Sequence, residues 1–374
     1  MNAPIQVTVF TGHPGMDGSR LVNALVQSDS DQRIAAIVPK RGRRSKRHNR
    51  APGIIPTTEQ LLRLGQGCSC CTVRGDIRAK IRRLAQEQTA DHILIETTPH
   101  SDLVTLAKTF TVADNDGSSL SELAEIRNMV AVLDARTTIT SLQSASARSV
   151  LGQIELANLL LIDQGTDLDE QERELLTSLL EAVNPHARIT WTTADPPSLD
   201  ALQAPQPFDL DTAQRRANLA SVLRGEWEPS DTVARLAYRV SKPFHPARLH
   251  AFIQQKWPGM VRAQGSFWVA SRPASVGMLD VAGENWTTAE GGMWWAAVPE
   301  AERPKSLQFK AYMDAVWHPT FGDRRQELAF VAVSTKAEAL RAALDACLMT
   351  DEELSTPEQW SALPHPFPWP RASA

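Results

Sequence analysis

Short apolar runs alternate with amphipathic stretches along the first half of the chain. The runs predict strands at residues 6–10, 34–38, 92–95, 129–133, 159–162 and 188–192. Between them, apolar residues at helical spacing predict helices at residues 21–26, 58–64, 77–88 and 170–183. Because uninterrupted apolar strands that alternate with helices are buried on both faces, the pattern predicts an α/β fold, a parallel sheet flanked by helices.

The pattern changes after residue 193. Residues 193–232 are rich in proline, aspartate and alanine and indicate a linker or a loosely packed connection. Farther on, strands are expected at residues 237–240, 267–270, 276–281, 294–298 and 327–332, and helices at 248–255 and 335–347. All tryptophans except Trp191 lie in this half, which supports a second, smaller α+β domain. We expect domains at residues 1–195 and 233–350, a linker at 196–232 and a Pro-rich tail at 351–374.

The composition is that of a globular protein, and it narrows the classes of function. A length of 374 residues favours two domains, and 42% hydrophobic and 22% charged residues are ordinary values. A net charge of −4 gives no overall attraction to nucleic acid or membrane. No apolar run is long enough to span a bilayer, and the first residues do not have the pattern of a signal peptide. We therefore expect a cytoplasmic location without membrane contact.

Three of the four cysteines lie in the stretch QGCSCCTVRGD, at Cys68, Cys70 and Cys71. Thiolates at this spacing can converge on one soft metal ion such as Zn²⁺ where the backbone turns, with a fourth ligand from elsewhere. A redox pair of Cys68 and Cys71, spaced as Cys-x-x-Cys, is a second interpretation, and buried structural cysteines are a third. Four cysteines in this arrangement do not indicate a secreted disulfide framework.

A turn that could bind phosphate follows the first predicted strand. Gly12, Gly15 and Ser19 stand where a phosphate-binding loop has its glycines and its magnesium-binding hydroxyl. Asp17 and Gly18, however, replace the second glycine and the lysine of that pattern. An aspartate there brings negative charge towards phosphate, so a tight strand–helix turn without ligand is the competing interpretation.

Further candidates follow other strands. Glu96 and His100 come after the strand at 92–95, at the edge where open α/β sheets bind ligands. Glu96 could order a magnesium-bound water or ligate a metal. His100 could be a metal ligand nearby. Residues 40–50 carry seven Lys or Arg and no acid, which indicates either a solvated loop or an anchor for the phosphate of a nucleotide or of RNA. Residues 317–328 are expected to form a structural turn.

Together these motifs resemble the CobW-like family of P-loop GTPases, which includes zinc metallochaperones. Its hallmark Gly-Cys-x-Cys-Cys-Thr-x-Arg-x-Asp is matched at Gly67, Cys68, Cys70, Cys71, Thr72, Arg74 and Asp76. Residues 11–23 align with the family's TGFLGAGKTTLLN, and Glu96-Thr97-Thr98 with its Walker-B-like Glu-Thr-Thr-Gly. Residues 129–135 match the next strand, with Asp134 at its end, and residues 243–249 and 322–328 resemble the CobW C-terminal domain.

The resemblance implies a site for each ligand. The cysteines would bind Zn²⁺ and Glu96 would be catalytic, while nucleotide would contact Gly12, Gly15, Ser19, Arg20 and Asp167. The lysine position of the phosphate loop is Gly18, and the guanine motif reads Gln164-Gly165-Thr166-Asp167, which keeps only its aspartate. The glycine after Glu-Thr-Thr is Pro99. These departures predict weak or lost binding of GTP and Mg²⁺ and make hydrolysis inefficient unless Arg20 or the basic run supplies the cation.

The implied function is a metal-binding chaperone of zinc homeostasis, with a client metalloprotein as its partner. The eroded nucleotide motifs are also similar to a branch of the family that is associated with zinc starvation and recruits a hibernation factor to ribosomes. For that alternative, residues 40–50 would contact RNA. A thiol redox protein remains the third hypothesis.

Overall fold

Seven parallel strands form the first sheet of the computed structural model. The structure describes residues 3–12, 18–27, 32–39, 54–57, 75–98, 101–113, 117–163, 168–192, 197–202, 204–216, 219–227, 230–255 and 257–369. The strands are β1 (Ile5–Gly12), β2 (Ile34–Pro39), β3 (Ile54–Thr57), β4 (His92–Glu96), β5 (Ala124–Asp134), β6 (Leu159–Asp163) and β7 (Arg188–Trp191). Their order across the sheet is β3-β2-β4-β1-β5-β6-β7, with parallel pairing throughout.

Helices accompany this sheet along the chain. Up to residue 216 they are α1 (Gly18–Val26), α2 (Gly75–Glu87), α3 (Leu103–Thr111), α4 (Thr138–Gln143), α5 (Ala147–Leu156), α6 (Glu170–Val183) and α7 (Leu210–Arg216). Sequence-local capping determines where some of them begin. Asp169 starts α6 with a capping box that includes Glu172, and the Asp102 carboxylate accepts the Thr105 N–H at the start of α3.

The apolar strands are buried on both faces, as their uninterrupted pattern predicts. Val7 and Val9 belong to one core cluster with helix residues such as Ile81 and Leu106. Phe10 points to the other face, where Val22 of α1 lies in a second cluster. Each large apolar side chain buried in this way stabilises the fold by about 1.5–3 kcal/mol. The predicted α/β class, a parallel sheet with flanking helices, is confirmed.

Residues 197–202 and 204–213 pack against this sheet, which differs from the loose connection that their composition suggests. Leu199 and Leu202 are buried in the cluster on one face of the sheet, and Leu210 is buried in the cluster on the other. Between them, the Ala204 N–H donates to Asn128 Oδ1 at 3.0 Å. Prolines interrupt regular structure here but do not prevent side-chain burial, so composition alone did not reveal the packing. The predicted boundaries of the linker stay a prediction.

A five-stranded antiparallel sheet forms the second part of the chain. Its strands are β8 (Val233–Val240), β9 (Met260–Phe267), β10 (Ser275–Ala282), β11 (Asn285–Met293) and β12 (Gln326–Val333), in the order β11-β10-β9-β12-β8. The helices are α8 (Ala220–Arg224), α9 (Pro246–Gln254), α10 (Leu307–Val316), α11 (Ala337–Asp345) and α12 (Asp351–Leu354). By its contacts the chain divides into two units, residues 1–141 with 149–217 and residues 142–148 with 218–374.

The observed secondary structure differs in detail from the expectations, which did not include strand β11 (Asn285–Met293). Strand β3 was not predicted, because its four residues contain a proline. Residues 294–298 form a 3₁₀ turn at Trp295–Ala297 instead of a strand. The strand expected at 267–270 lies earlier, at Met260–Phe267, where polar residues alternate with apolar or small ones in the sequence VRAQGSF. The helix expected at 58–64 lies outside the described residues.

Candidate functional site

Strands β1 and β4 bring two of the predicted site residues to the same edge of the first sheet. β1 ends at Gly12 and β4 at Glu96, and in the parallel register Phe10 lies beside Glu96. The Thr97 N–H and Thr97 Oγ1 both donate to the Phe10 carbonyl, at 2.9 and 3.1 Å. The carboxyl ends of parallel strands are where ligands bind in open α/β sheets. The register therefore places the first glycine of the predicted phosphate loop and the predicted catalytic carboxylate at one edge.

Glu96 is held in this position by its neighbours in the chain. It is 6% exposed, and Thr97 after it is 7% exposed. The turn that follows is closed by Ser101, whose Oγ accepts the Thr98 N–H at 2.9 Å. A buried carboxylate at a ligand-binding edge is suited to order water or a metal ion there, because few water molecules compete for it.

Two further acids lie on the neighbouring strands of the same edge. Asp134 ends β5 and Asp163 ends β6, directly opposite each other in the register. The Asp134 carboxylate accepts the Arg136 N–H at 2.8 Å. The Asp163 carboxylate accepts a hydrogen bond from Thr192 Oγ1 at 2.7 Å. Sequence reasoning noted Asp134 but missed Asp163 and Thr192, although the acid directly after the apolar run LLLI was an available signal.

The remaining site residues lie at or beyond the borders of the described structure. Ser19 and Arg20 fall in the first turn of α1, without described side chains. Gly15, Asp167, His100, the run at 40–50 and all three clustered cysteines, Cys68, Cys70 and Cys71, lie outside the described residues. The structure brings Gly12 and Glu96 together, and the metal site at the cysteines stays a prediction.

The fourth cysteine, Cys347, is separate from the motif. It lies in the second unit, is 4% exposed, and its thiol donates to the Ala343 carbonyl at 3.2 Å. Burial raises the pKa of this thiol to about 11, so it stays protonated at neutral pH. Metal ions bind the thiolate, and Cys347 is therefore a structural cysteine. Among the residues that the structure describes, no three His, Cys, Asp or Glu side chains are grouped to hold a metal ion.

None of the helices in the described ranges has both the length and the apolar character that crossing a bilayer requires.

Comparison with known proteins matches both units. Residues 6–190 match the model of the CobW/HypB/UreG nucleotide-binding domain, and residues 233–348 match that of the cobalamin synthesis protein cobW C-terminal domain. A zinc-regulated GTPase metalloprotein activator 1 of Dictyostelium discoideum is 28% identical over 94% of this chain and 81% of its own. A zinc chaperone of Mycobacterium tuberculosis is 26% identical over 84% of this chain and 81% of its own.

Among solved structures, the Zn(II)-bound YjiA GTPase from E. coli is 15% identical over 93% of this chain and 100% of its own, with a TM-score of 0.40. The fold of this chain is established by the sheet topology and the two family matches.

Proposed function

The chain belongs to the CobW family, and on that premise we propose that it is a zinc-handling chaperone of zinc homeostasis that delivers the ion to a client metalloprotein. Cys68, Cys70 and Cys71 supply the thiolates that hold Zn²⁺ as cargo. The observation that carries the proposal is this three-cysteine motif, inside the segment that matches the family's nucleotide-binding domain. The names of the two relatives, a zinc-regulated activator and a zinc chaperone, support zinc as the metal.

The residues present fit a zinc ion by their chemistry. Three thiolates within four residues match the soft ligands that zinc prefers, and a fourth position is left for another side chain, water or a client's ligand. The motif directly precedes α2, which begins at Gly75 and leads to β4 and Glu96. Glu96 at the sheet edge would hold water or a magnesium ion there. A site with three protein ligands suits transfer, because the open position admits an incoming ligand.

Nucleotide is proposed to act weakly on this site. Asp17 and Gly18 leave the phosphate loop without its lysine, and Gln164 and Gly165 leave the guanine motif without its first two residues. The chain's function would then depend on metal binding more than on turnover of GTP. We infer a cytoplasmic location from the same cysteines, since free thiols persist in a reducing compartment.

A zinc titration tests the proposal. The full chain, reduced and freed of metal, is titrated with Zn²⁺ against a chromophoric chelator and compared with the variant C68S/C70S/C71S. We expect the triple variant to lose at least about a hundredfold in affinity, because the hydroxyl of serine is a poor zinc ligand at neutral pH. The matched control is Cys347→Ser, which removes the buried thiol and should bind zinc as the wild type does. Equal affinity of the triple variant and the wild type would refute the proposal.

The ribosome-associated alternative rests on the eroded nucleotide motifs and on the basic run at residues 40–50. The basic run at residues 40–50 would suit contact with RNA, but it lies outside the described residues and the names of the relatives above point to metal handling. The hypothesis stays secondary to the zinc chaperone.

A further inference from the structure

Helix α10 lies on the surface of the second unit with most of its apolar residues uncovered. Within this helix, which the structure describes from end to end, Met313 is the one buried side chain. Leu307 is 85% exposed, Tyr312 is 43% exposed, and Trp317, directly after the helix, is 43% exposed. Helices in proteins are stabilised mainly by the burial of an apolar face. A helix that leaves so much apolar surface in water is typical of an interaction surface.

A groove runs beside this helix. Its volume is about 1100 Å³. It lies between residues 300–305 and the side of α10 that carries Phe309 and Met313, and Trp317 lines it just after the helix. The Arg303 guanidinium lies 5.3 Å from the centre of the Trp317 ring, and Arg303 Nε donates to the Val298 carbonyl at 3.0 Å. These contacts hold the wall of the groove in place, so the groove is part of the folded unit.

The charges along the groove are arranged in a self-complementary way. Lys310 and Asp314 both line it and both are exposed. Within one helix, a lysine four residues before an acid is the less favourable orientation, and the described contacts include no ion pair between these two. Leu307, Lys310, Asp314 and Trp317 follow one another at intervals of three, four and three residues, which places them on one side of the helix.

The order of these four side chains along α10 suits an antiparallel pair of identical helices. From the N-terminal end of α10 the side chains are apolar, cationic, anionic and apolar. From the C-terminal end they are apolar, anionic, cationic and apolar. When such a helix meets its own copy antiparallel, each cation faces an anion and each apolar end faces an apolar end. A peptide whose charges all have one sign would instead be attracted by one of Lys310 and Asp314 and repelled by the other. The charge pattern therefore favours a second copy of this chain as the occupant.

We propose that α10 is a self-association surface, on which a second copy of the chain packs its α10 antiparallel across a two-fold axis midway between Lys310 and Asp314. Lys310 then pairs with the partner's Asp314, and Leu307 packs against the partner's Trp317. Each contact occurs twice, as two-fold symmetry requires. This association is independent of the proposed zinc function.

The size of the surface predicts the strength of the dimer. A helix of ten residues is about 15 Å long, so the pair of helices buries less than the roughly 800 Å² per partner of a stable complex. The dimer is therefore weak, and its population depends on the concentration of the protein.

Analytical ultracentrifugation of the full, metal-free chain tests the proposal with a charge swap. The average mass of the wild type should rise towards that of a dimer as the concentration increases. Lys310→Asp and Asp314→Lys each turn two attractive pairs into repulsive ones, and each should weaken association about tenfold or more. The double variant K310D/D314K restores opposite charges and should recover the dimer.

Two further variants separate this surface from other exposed apolar residues. Leu307→Ser should weaken the dimer, whereas Met293→Ser, at a residue of β11 that is 58% exposed, should leave it unchanged. All substituted side chains are exposed, so thermal unfolding should match that of the wild type. A wild type that stays monomeric at every concentration, single variants that associate like the wild type, or a double variant that fails to recover the dimer would each overturn the proposal.

Discussion

The buried histidine His92 makes the stability of the first sheet depend on pH. His92 is 2% exposed, and its Nε2 lies 2.9 Å from Thr8 Oγ1. Thr8 Oγ1 also accepts a hydrogen bond from Asn128 Nδ2 at 3.1 Å, so three polar side chains satisfy one another between strands. Burial lowers the pKa of His92 to about 4 from its usual value near 6.5. The histidine is therefore neutral in the folded protein over the whole physiological range.

The consequence is a loss of stability in acid. Below about pH 6.5 the unfolded chain takes up a proton at His92 and the folded chain does not until about pH 4, so the free energy of unfolding falls across this window by about 3 kcal/mol. Urea unfolding followed by circular dichroism in metal-free buffer at several pH values would show this. His92→Gln removes the titration and should flatten the pH dependence, while His186→Gln, at an exposed residue of the same unit, gives the baseline for replacing a histidine. An unchanged slope in His92→Gln would contradict the prediction.

At the scale of elements, residues 363–369 form an additional layer of the second unit. Residues 363–369 alternate prolines with other residues, and Phe367 and Trp369 lie in the core of the antiparallel sheet. The Trp369 ring lies 5.2 Å from that of Phe367 and 5.5 Å from that of Phe267. A Cβ at Gly277 would come within 2.6 Å of Trp369, so a glycine on β10 makes room for the indole.

Ring packing and one side-chain hydrogen bond, between Ser271 Oγ and His365 Nδ1 at 3.2 Å, hold this segment. The described residues 364–369 form no backbone hydrogen bond, in part because prolines lack the N–H. The C-terminal domain model that matches the chain ends at residue 348, before this layer. The aromatic residues therefore extend the core beyond the part that the family model covers.

Removal of one ring should destabilise the second unit. Trp369→Ala leaves a cavity beside Phe267 and should lower the free energy of unfolding by about 3 kcal/mol. Trp227→Ala is the matched control, because Trp227 is 38% exposed and contacts Arg235 through its ring, a contact that contributes only about 0.5–1 kcal/mol. Denaturant unfolding monitored by tryptophan fluorescence compares the two variants. Equal losses in both would show that the C-terminal layer contributes nothing specific.

At the scale of the whole molecule, two family domains carry chemistry of different kinds. The first unit combines a parallel sheet, whose carboxyl edge collects Gly12, Glu96, Asp134 and Asp163, with the segment that carries the cysteine motif. In the second unit, Cys347 is a protonated core residue. The exposed surface of α10 is the proposed site of self-association. Metal handling is thus proposed for one unit and self-association for the other.

Restoration of the phosphate loop should test how much nucleotide binding the chain has lost. Asp17→Gly with Gly18→Lys removes a carboxylate that repels phosphate and adds the cation that contacts the outer phosphates. We expect this double variant to bind GTP with Mg²⁺ at least about tenfold more tightly than the wild type in calorimetry. Asp17→Asn alone, which removes the charge without adding a lysine, separates the two contributions. Equal heats for the wild type and the double variant would contradict the expectation.

The fold class followed from the pattern because burial on both faces leaves a direct trace in sequence. The runs in β2, β4, β5 and β6 are uninterrupted and apolar, so each strand could be located without any knowledge of its neighbours. The second sheet was harder, because β9 contains no long apolar run: its polar residues Arg262 and Gln264 alternate with apolar or small ones. The four-residue strand β3, with its proline, left no readable pattern.

By itself the sequence determined which residues carry the chemistry, because these residues can be recognised from short stretches of sequence. They are the cysteine cluster, the departures at Asp17 and Gly18, and the carboxylate Glu96. Only the tertiary structure decided what lies together, because register and packing depend on contacts between distant residues. It set Glu96 beside Phe10, joined Asp163 to Thr192, and buried Trp369 against Gly277. It also left α10 uncovered, a property that no composition or spacing reveals because exposure is the absence of a distant partner.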